Sequence, residues 1–461
     1  MQLRHCLSAT FVALCIAAAA GQAQYVEDSI DVGGGGMGSL AYNSQADVVY
    51  GGCYAAAGIF FAISCDSNKV VKRLPIRYPT YVTYDSIDNK AYCIFNADNE
   101  SLLVIDGATQ TRVKSLPMYG AAVIVWDPAS DHVYVSCQNT NSVAIVDCAS
   151  DSVLTYIPVG AGPMKMYRST LRRKLYILNY DDGTVSIVNT VTNQVVRTVT
   201  VGGTPNAGYY CRRADKLFSD GEYGYCTVIG GQSDTIVARI ALPGTNVEVI
   251  GATGNETDAL VYLGTLGGGH HDTVATVSAQ NDSLLATVAV GAVPYALAFY
   301  APSRLLYCAP DMDTEVYVLT RDGRQILTTL RVGGSPSVFA VAPRHNRLYL
   351  GNLGGRYMFV LKDTSAGIAE PLSCSPGFHG ISVMPNPFSQ SVTVARNTPL
   401  KGGDAARVYA QDGRLVRQAR IPAGESRWVW DGRDDSGAPL PPGVYVIEAG
   451  QGLRAKVVKL R

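Results

Sequence analysis

Apolar residues come along this chain in runs of about four to seven, rich in Val, Ile, Tyr and Phe, and each run is cut off by Asp, Asn, Gly or Ser. That is the pattern of short strands and tight turns, and it lacks the 3.6-residue period of an amphipathic helix. Residues 80–118 show the plan: Tyr81-Val82-Thr83-Tyr84, a turn from Asp85 to Asn89, Lys90 to Phe95, a loop from Asn96 to Glu100, Ser101 to Asp106, and Arg112 to Leu116. Four strands result, here called a to d. No convincing helix is expected anywhere.

The plan repeats. One bulky aromatic anchor sits in each strand b, at Tyr50, Tyr92, Tyr134, Tyr176, Phe218, Tyr262, Tyr307 and Tyr349, at intervals of 42, 42, 42, 42, 44, 45 and 42 residues. A period of about 40 to 45 residues with several strands per unit predicts propeller blades, which are stable only when neighbours cover their faces. Residues 29–36 (Ser-Ile-Asp-Val-Gly-Gly-Gly-Gly) read as a strand d with no a, b or c before it, and the unit from Pro336 to Leu361 lacks a clear fourth strand. The N-terminal strand is therefore expected to complete the last blade and remove the free edges. The 337 residues from Tyr25 to Leu361 match the roughly 336 that eight such blades need. The predicted fold is all-β: an eight-bladed β-propeller over residues 24–365, closed by its N-terminal strand.

Two further phrases recur. Asp106, Asp147 and Asn189 end strand c, where a short polar side chain can accept from backbone N–H groups and close the c-to-d turn. Val-Gly-X-X-Pro follows strand d at residues 159–163, 201–205, 290–294 and 332–336. There Gly supplies left-handed backbone and Pro prepares entry into the next strand a.

Composition narrows the partners. Lys plus Arg equals Asp plus Glu at 38 each, so no global field draws in nucleic acid, and nucleic-acid binding is disfavoured. Residues 1–23 read as an export signal, with Arg4 and His5, an apolar stretch from Phe11 to Ala20, and Gly21-Gln22-Ala23 as the cleavage site. No later apolar stretch is long enough to be a transmembrane segment. Nine of the eleven cysteines remain after residue 23. Cys53 with Cys65, and Cys137 with Cys148, fall at opposite ends of a hairpin, too far apart to bridge within a blade.

Residues 173–179 (Arg-Lys-Leu-Tyr-Ile-Leu-Asn), 184–189 (Thr-Val-Ser-Ile-Val-Asn) and 195–202 (Val-Val-Arg-Thr-Val-Thr-Val-Gly) resemble the YVTN (YncE-type) propeller repeat. The resemblance covers most of residues 25–361. That family is commonly seven-bladed, so seven blades stands as the alternative to the eight counted from the anchors. It implies a secreted or surface binding protein with no agreed catalytic site, in a superfamily that also holds lactonase-like enzymes. After a linker at 366–380, residues 381–461 suggest a small Ig-like β-sandwich. Met384-Pro385-Asn386-Pro387-Phe388, Asp412-Gly413-Arg414-Leu415-Val416, residues 430–437 and Pro442-Gly443-Val444-Tyr445 resemble the type IX secretion sorting domain and the flagellar hook-capping (FlgD-type) Ig-like domain. This implies contact with secretion machinery and a place outside the cell or on its outer surface.

Binding is expected where b-to-c loops and d-to-a links gather at one end of the channel. The candidates are Asn96, Asn139, Asn141, Tyr180, Asp181, Asp182, Tyr223, His270, His271, Asp311, Asp313 and Asn352, a mixture suited to a polar glycan or protein ligand. His270-His271-Asp272 offers metal-capable groups, but consecutive residues seldom converge on one ion, and no metal or other cofactor is expected. No P-loop, Gly-x-Ser-x-Gly elbow, His-Glu-x-x-His or haem-attachment motif is present. The leading expectation is a non-catalytic scaffold. A hydrolytic propeller using carboxylates such as Asp181 and Asp311, and a surface-layer component, are the alternatives. On the other face, Arg168, Arg172, Arg173, Lys174, Arg212 and Arg213 outline a candidate anion patch.

Overall fold

In a computed structural model of the chain, the described residues are 23–54, 58–95, 101–267, 272–365, 381–384, 391–396, 405–410, 414–420, 427–449 and 454–459. The chain divides into two units, Met1–Gly367 and Ile368–Arg461. Of the expected export signal at 1–23, residues 1–22 lie outside the described residues, as does the expected linker at 366–380.

Among the described residues, the first unit holds eight four-stranded antiparallel sheets. Seven follow chain order, over residues 37–75, 79–117, 121–158, 163–200, 208–241, 248–289 and 296–331. In the eighth, Pro336–Ala342, Arg347–Asn352 and Tyr357–Asp363 are joined by the N-terminal strand Gln24–Asp31. That strand runs antiparallel to Tyr357–Asp363, from Gln24 opposite Asp363 to Asp31 opposite Tyr357, with a bulge between Val26 and Asp28. Two 3-10 turns, Gln138–Thr140 and Pro343–His345, are the helical elements among the described residues.

Burial follows strand position. Strands b and c lie between two neighbouring sheets, so both of their faces are covered and runs such as Val48–Cys53 are buried throughout. Strand d is outermost and alternates, as Lys69–Pro75 does. This is why the sequence is near-continuously apolar in the middle of each unit and mixed at its end. Each large apolar cluster is shared by two consecutive sheets: Tyr50 and Phe60 of the first with Cys93 and Leu103 of the second, and so on to Leu350 of the eighth with Val316 of the seventh. Met358 and Val360 of the eighth share a cluster with Val49 and Phe61 of the first. The first strands of successive sheets also touch, and Pro336–Ala342 lies against Met37–Asn43.

The anchors do more than fill space. All are fully buried, and most use the hydroxyl to reach the next sheet. Tyr92 donates to Asp151 (3.2 Å), Tyr134 to Asn193 (3.3 Å), Tyr307 to Asp363 (2.6 Å), Tyr349 to Asn68 (2.8 Å) and Tyr50 to the carbonyl of Gly107 (3.2 Å). Tyr262 reaches the carbonyl of Arg321. Asn68, Asp151 and Asn193 are left-handed turn residues, which favours Asn and Asp there. Basic residues at the start of strand b reinforce the tie, with Lys90 on Asp151 (3.0 Å), Lys174 on Asp234 (2.7 Å) and Lys216 on Asp282 (2.8 Å). The hydroxyl-free anchor, Phe218, shares its strand with Lys216. A buried donor–acceptor pair of this kind contributes roughly 0.5–1.5 kcal/mol net.

The expected c-to-d turns are present: Asp106 accepts from the N–H groups of Ala108 and Thr109, and Asn189 from those of Val191 and Thr192. The eight cysteines described, including Cys53, Cys65, Cys137 and Cys148, are buried and not joined in disulfides. Three members of the arginine patch are ion-paired locally. Arg168 meets Asp127, Arg172 meets Asp215 and Lys174 meets Asp234, while the backbones of Arg212 and Arg213 donate to Glu256.

The second unit contains a three-stranded sheet (Ile381–Met384, Val392–Arg396, Arg427–Trp430) and a four-stranded one (Leu415–Arg420, Ala405–Ala410, Gly443–Ala449, Arg454–Lys459). Both contribute to one core, in which Val392, Val394 and Trp430 meet Val408, Tyr445 and Ile447. Trp430 packs edge-on against Tyr445 at 5.3 Å and donates to the carbonyl of Arg433. Asp434 accepts from the N–H groups of Ser436 and Ala438 and so closes the turn that follows Arg427–Trp430.

Candidate functional site

The d-to-a links and b-to-c loops come together, as the pattern predicts. Gly162 in one link has φ +65°, and a side chain there would press on the Asp181 carboxylate, so glycine is favoured. The backbone N–H of Tyr180 donates to Gly162, that of Asp181 to Ala161, and that of Gly162 to the Asn141 side chain (3.1 Å) from the preceding sheet.

Many candidate residues spend their polar atoms holding this end together. Asp182 accepts from Ala161 N–H (2.8 Å) and the Thr184 hydroxyl (2.6 Å). Asp313 accepts from Tyr317 (2.9 Å) and Thr314 N–H (2.7 Å). Asn352 is buried, accepts from Ser335 and Gly354 N–H (2.9 Å each) and donates to the Gly333 carbonyl. Asp181 and Tyr223 are exposed. Asp311 keeps one buried carboxylate oxygen without a partner among the described residues, and burial pushes its carboxyl above the ordinary range. Asn96, His270 and His271 lie outside the described residues. Asp272 is buried and accepts from the Val293 N–H at 2.6 Å.

Asn139 lies in a cleft of about 230 Å³ at the start of the second and third sheets, lined also by Thr80, Tyr81, Gly120, Gln138 and Met164. Tyr81 is the link to a group of residues that the sequence reading did not single out. Lys165, the third residue of Pro163–Ser169, points its ammonium at the hydroxyls of Tyr81 (3.1 Å) and Tyr295 (3.4 Å). Lys165 and Tyr81 belong to the fourth and second sheets, and Tyr295 immediately precedes the first strand of the seventh. The ammonium is also 5.6 Å and 5.9 Å from the two ring centroids, within cation–π range. Burial alone would weaken the charge, but the phenol groups of Tyr81, Tyr295 and Tyr167 outweigh it and hold the ammonium above the usual lysine range. Burial pushes the Tyr167 phenol up to about 12.

The approach of Tyr295 is built under strain. Val293 has φ +63°, a region that β-branched residues avoid and that costs roughly 1–3 kcal/mol. The equivalent position in the link before the fourth sheet is Gly162, at φ +65°. In the Val293 turn, Asp272 holds the N–H, and the carbonyl accepts from Asp311 and Tyr295 N–H. Chemically, this is an ammonium with two of its three protons committed to phenol oxygens, framed by aromatic faces and beside an amide-lined cleft. One sequence signal pointed to it: Lys165 is a lone charge at the third position of a strand a, where the second, third and eighth sheets carry Tyr81, Val123 and Val338.

No protein-family model and no curated protein matches this sequence. Solved structures do. The computationally designed Ika8 protein superposes with a TM-score of 0.59 at 14% identity, covering 72% of this chain and 98% of its own. Dihydro-heme d1 dehydrogenase NirN, solved in complex with DHE, superposes with a TM-score of 0.55 at 12% identity, covering 65% of this chain and 67% of its own. At such identities the likeness is one of architecture, and with the repeated four-stranded sheets it gives this chain a β-propeller-like fold.

Proposed function

We propose that this chain is a secreted or cell-surface binding scaffold. In this reading residues 24–365 are an eight-bladed propeller of the YVTN kind closed by its first strand, and residues 381–461 are an Ig-like domain that contacts secretion machinery. The shared clusters between successive sheets, the eighth with the first included, support the closed ring. Two sheets around one core support the sandwich. No helix among the described residues is long and apolar enough to cross a membrane. The export reading rests on the N-terminal sequence.

The ligand is an acidic glycan, taken at the channel end. The observation that carries this is the convergence of Lys165, Tyr81 and Tyr295. A carboxylate can take the remaining ammonium proton, tyrosine faces suit the C–H faces of sugar rings, and Gln138 and Asn139 supply amide groups beside them. Hydrolysis is the second reading: Asp311, with one oxygen unpartnered among the described residues and its carboxyl raised by burial, favours it, while Asp182 and Asp313, which already accept two hydrogen bonds each, do not.

An array of acidic and neutral oligosaccharides tests it, with calorimetry on the hits. Lys165→Met is expected to weaken acidic ligands about 10- to 100-fold, the loss of one charged hydrogen bond of about 1.5–3 kcal/mol. Because Lys165 stays protonated well into the alkaline range, binding by the unmodified protein should hold level from about pH 6 to pH 9. Equal affinity for neutral and acidic sugars, unchanged in Lys165→Met, would reject the proposal.

A further inference from the structure

Between the first and second sheets, Asn43 closes a small buried cage. Its side-chain oxygen accepts from Gln45 and Ala46 N–H. Its amide nitrogen donates to the Tyr50 hydroxyl (2.9 Å), the Asn89 side-chain oxygen (3.2 Å) and the Gly107 carbonyl (3.2 Å). Two amide protons thus serve three oxygens, one of them shared.

One repeat further on, 42, 42 and 41 residues along, Asn43, Asn89 and Gly107 become Asp85, Asp131 and Cys148. The donor has gone. Asp85 is fully buried; its Oδ1 accepts from Ile87 and Asp88 N–H, and its Oδ2 has no partner among the described residues. Single ligand atoms of Asp85, Asp131 and Cys148 all lie within 4.8 Å of one another. The nearby cation does not fill the role, since Lys90 is taken by Asp151 and by the Cys148 carbonyl. The next interface gives the contrast. Asp127, the counterpart of Asp85, receives the Ser130 hydroxyl at 2.9 Å and the Arg168 guanidinium at 3.4 Å. Asp131 takes a long hydrogen bond from Trp126 Nε1 (3.4 Å) and Cys148 lies within reach of the Tyr92 hydroxyl, but no donor among the described residues meets Asp85 Oδ2, so two carboxylates and a thiol converge around a buried, unpartnered oxygen, the surroundings of a candidate cation site.

We propose that Asp85, Asp131 and Cys148 bind one divalent cation of the zinc type between the second and third sheets. Mixed oxygen and sulfur ligands suit zinc, with bonds of about 2.0–2.3 Å that place ligands roughly 3.5 Å apart around a tetrahedron. Closing on the metal asks for a shift of about an ångström, and the fourth position falls to water. Binding displaces the Cys148 thiol proton to solvent and forms the sulfur–metal bond. The role is a cross-tie, doing for this interface what the Asn43 amide does for the previous one.

The full chain, stripped with chelator, is titrated with Co²⁺ as the probe, and its melting is followed with and without Zn²⁺. Thiolate-to-cobalt charge-transfer absorption saturating at one equivalent is expected, together with a melting temperature that Zn²⁺ raises by several degrees. Asp85→Asn restores the amide found in the preceding repeat, so it should fold, lose the absorption and melt at a temperature indifferent to Zn²⁺. Cys148→Ala should lose the absorption as well. No saturating absorption in the unmodified chain, absorption that survives both substitutions, or a melting temperature unmoved by Zn²⁺ would overturn the proposal.

Discussion

Deleting residues 24–32 is expected to abolish stable folding of the first unit, or to lower its melting temperature by tens of degrees. The segment buries Ile30 and Val32 against Met358 and the first sheet. At about 1.5–3 kcal/mol each, the two side chains alone contribute roughly 3–6 kcal/mol. Glu27 leaves with them. Its carboxylate, held below the ordinary range first by the hydrogen bond from Arg347, receives Arg347 Nη2 at 2.9 Å. The loss strands a largely buried guanidinium. The exposed edge of Tyr357–Asp363 is then a template for another chain. Against a typical total of about 5–15 kcal/mol, the sum is decisive. Thermal melting and size-exclusion of the truncated protein read the effect, and a peptide of residues 24–33 added in trans should recover part of it. A truncated protein that melts normally as a monomer would show that the last sheet needs no fourth strand.

The second large effect sits at Asp220, just after Lys216–Ser219. Its carboxyl is buried and accepts from Val249 N–H at 3.2 Å. Burial pushes it up to about 7 from an ordinary 3.8, outweighing the backbone donors that pull it down. Below about pH 4 the folded and unfolded chains both hold the proton, and the site leaves stability unchanged. Between about pH 4 and 7 only the folded chain holds it, so stability falls as pH rises, and above 7 the folded chain carries a buried charge. A gap of about three units at about 1.4 kcal/mol each sets a ceiling of roughly 4 kcal/mol. Asp220→Asn is therefore expected to match the unmodified protein near pH 4 and to exceed it by a few kcal/mol near pH 8. Denaturant midpoints across that range check it. A difference that is constant with pH would mean that the Asp220 carboxyl titrates alike in both states.

The sheets were legible because each unit must bury both faces of strands b and c, and that demand writes a continuous apolar run with one large aromatic at a fixed step. The purpose of the tyrosine hydroxyls was not legible. Tyr92 and Asp151 belong to different repeats, and the hydrogen bond between them is visible only when repeats are laid side by side. Of the loop polar groups, Asp182, Asp313 and Asn352 serve backbone N–H groups. A polar residue in a tight turn looks the same in sequence whether it faces a ligand or its own chain. Lys165 escaped for the opposite reason. Its partners lie in or next to sheets two and three places away, and no local pattern encodes which side chains of strand a cross the channel.

The proposed closed ring, and with it the proposed site at Lys165, Tyr81 and Tyr295, rests on the pairing of the first strand with the last. That pairing is tested most directly by Asp31→Cys with Tyr357→Cys, residues directly opposite in register. Opposed antiparallel residues sit at about 4.5–5.5 Å between Cα atoms, within disulfide range. Under mild oxidation the double variant should yield a monomer whose proteolytic digest contains one peptide pair joined through positions 31 and 357. The bridge should also raise the melting temperature, by the equivalent of about 5 kcal/mol at most. Free thiols at both positions, or bridges formed only between molecules, would contradict the closed ring and, with it, the site built at its end.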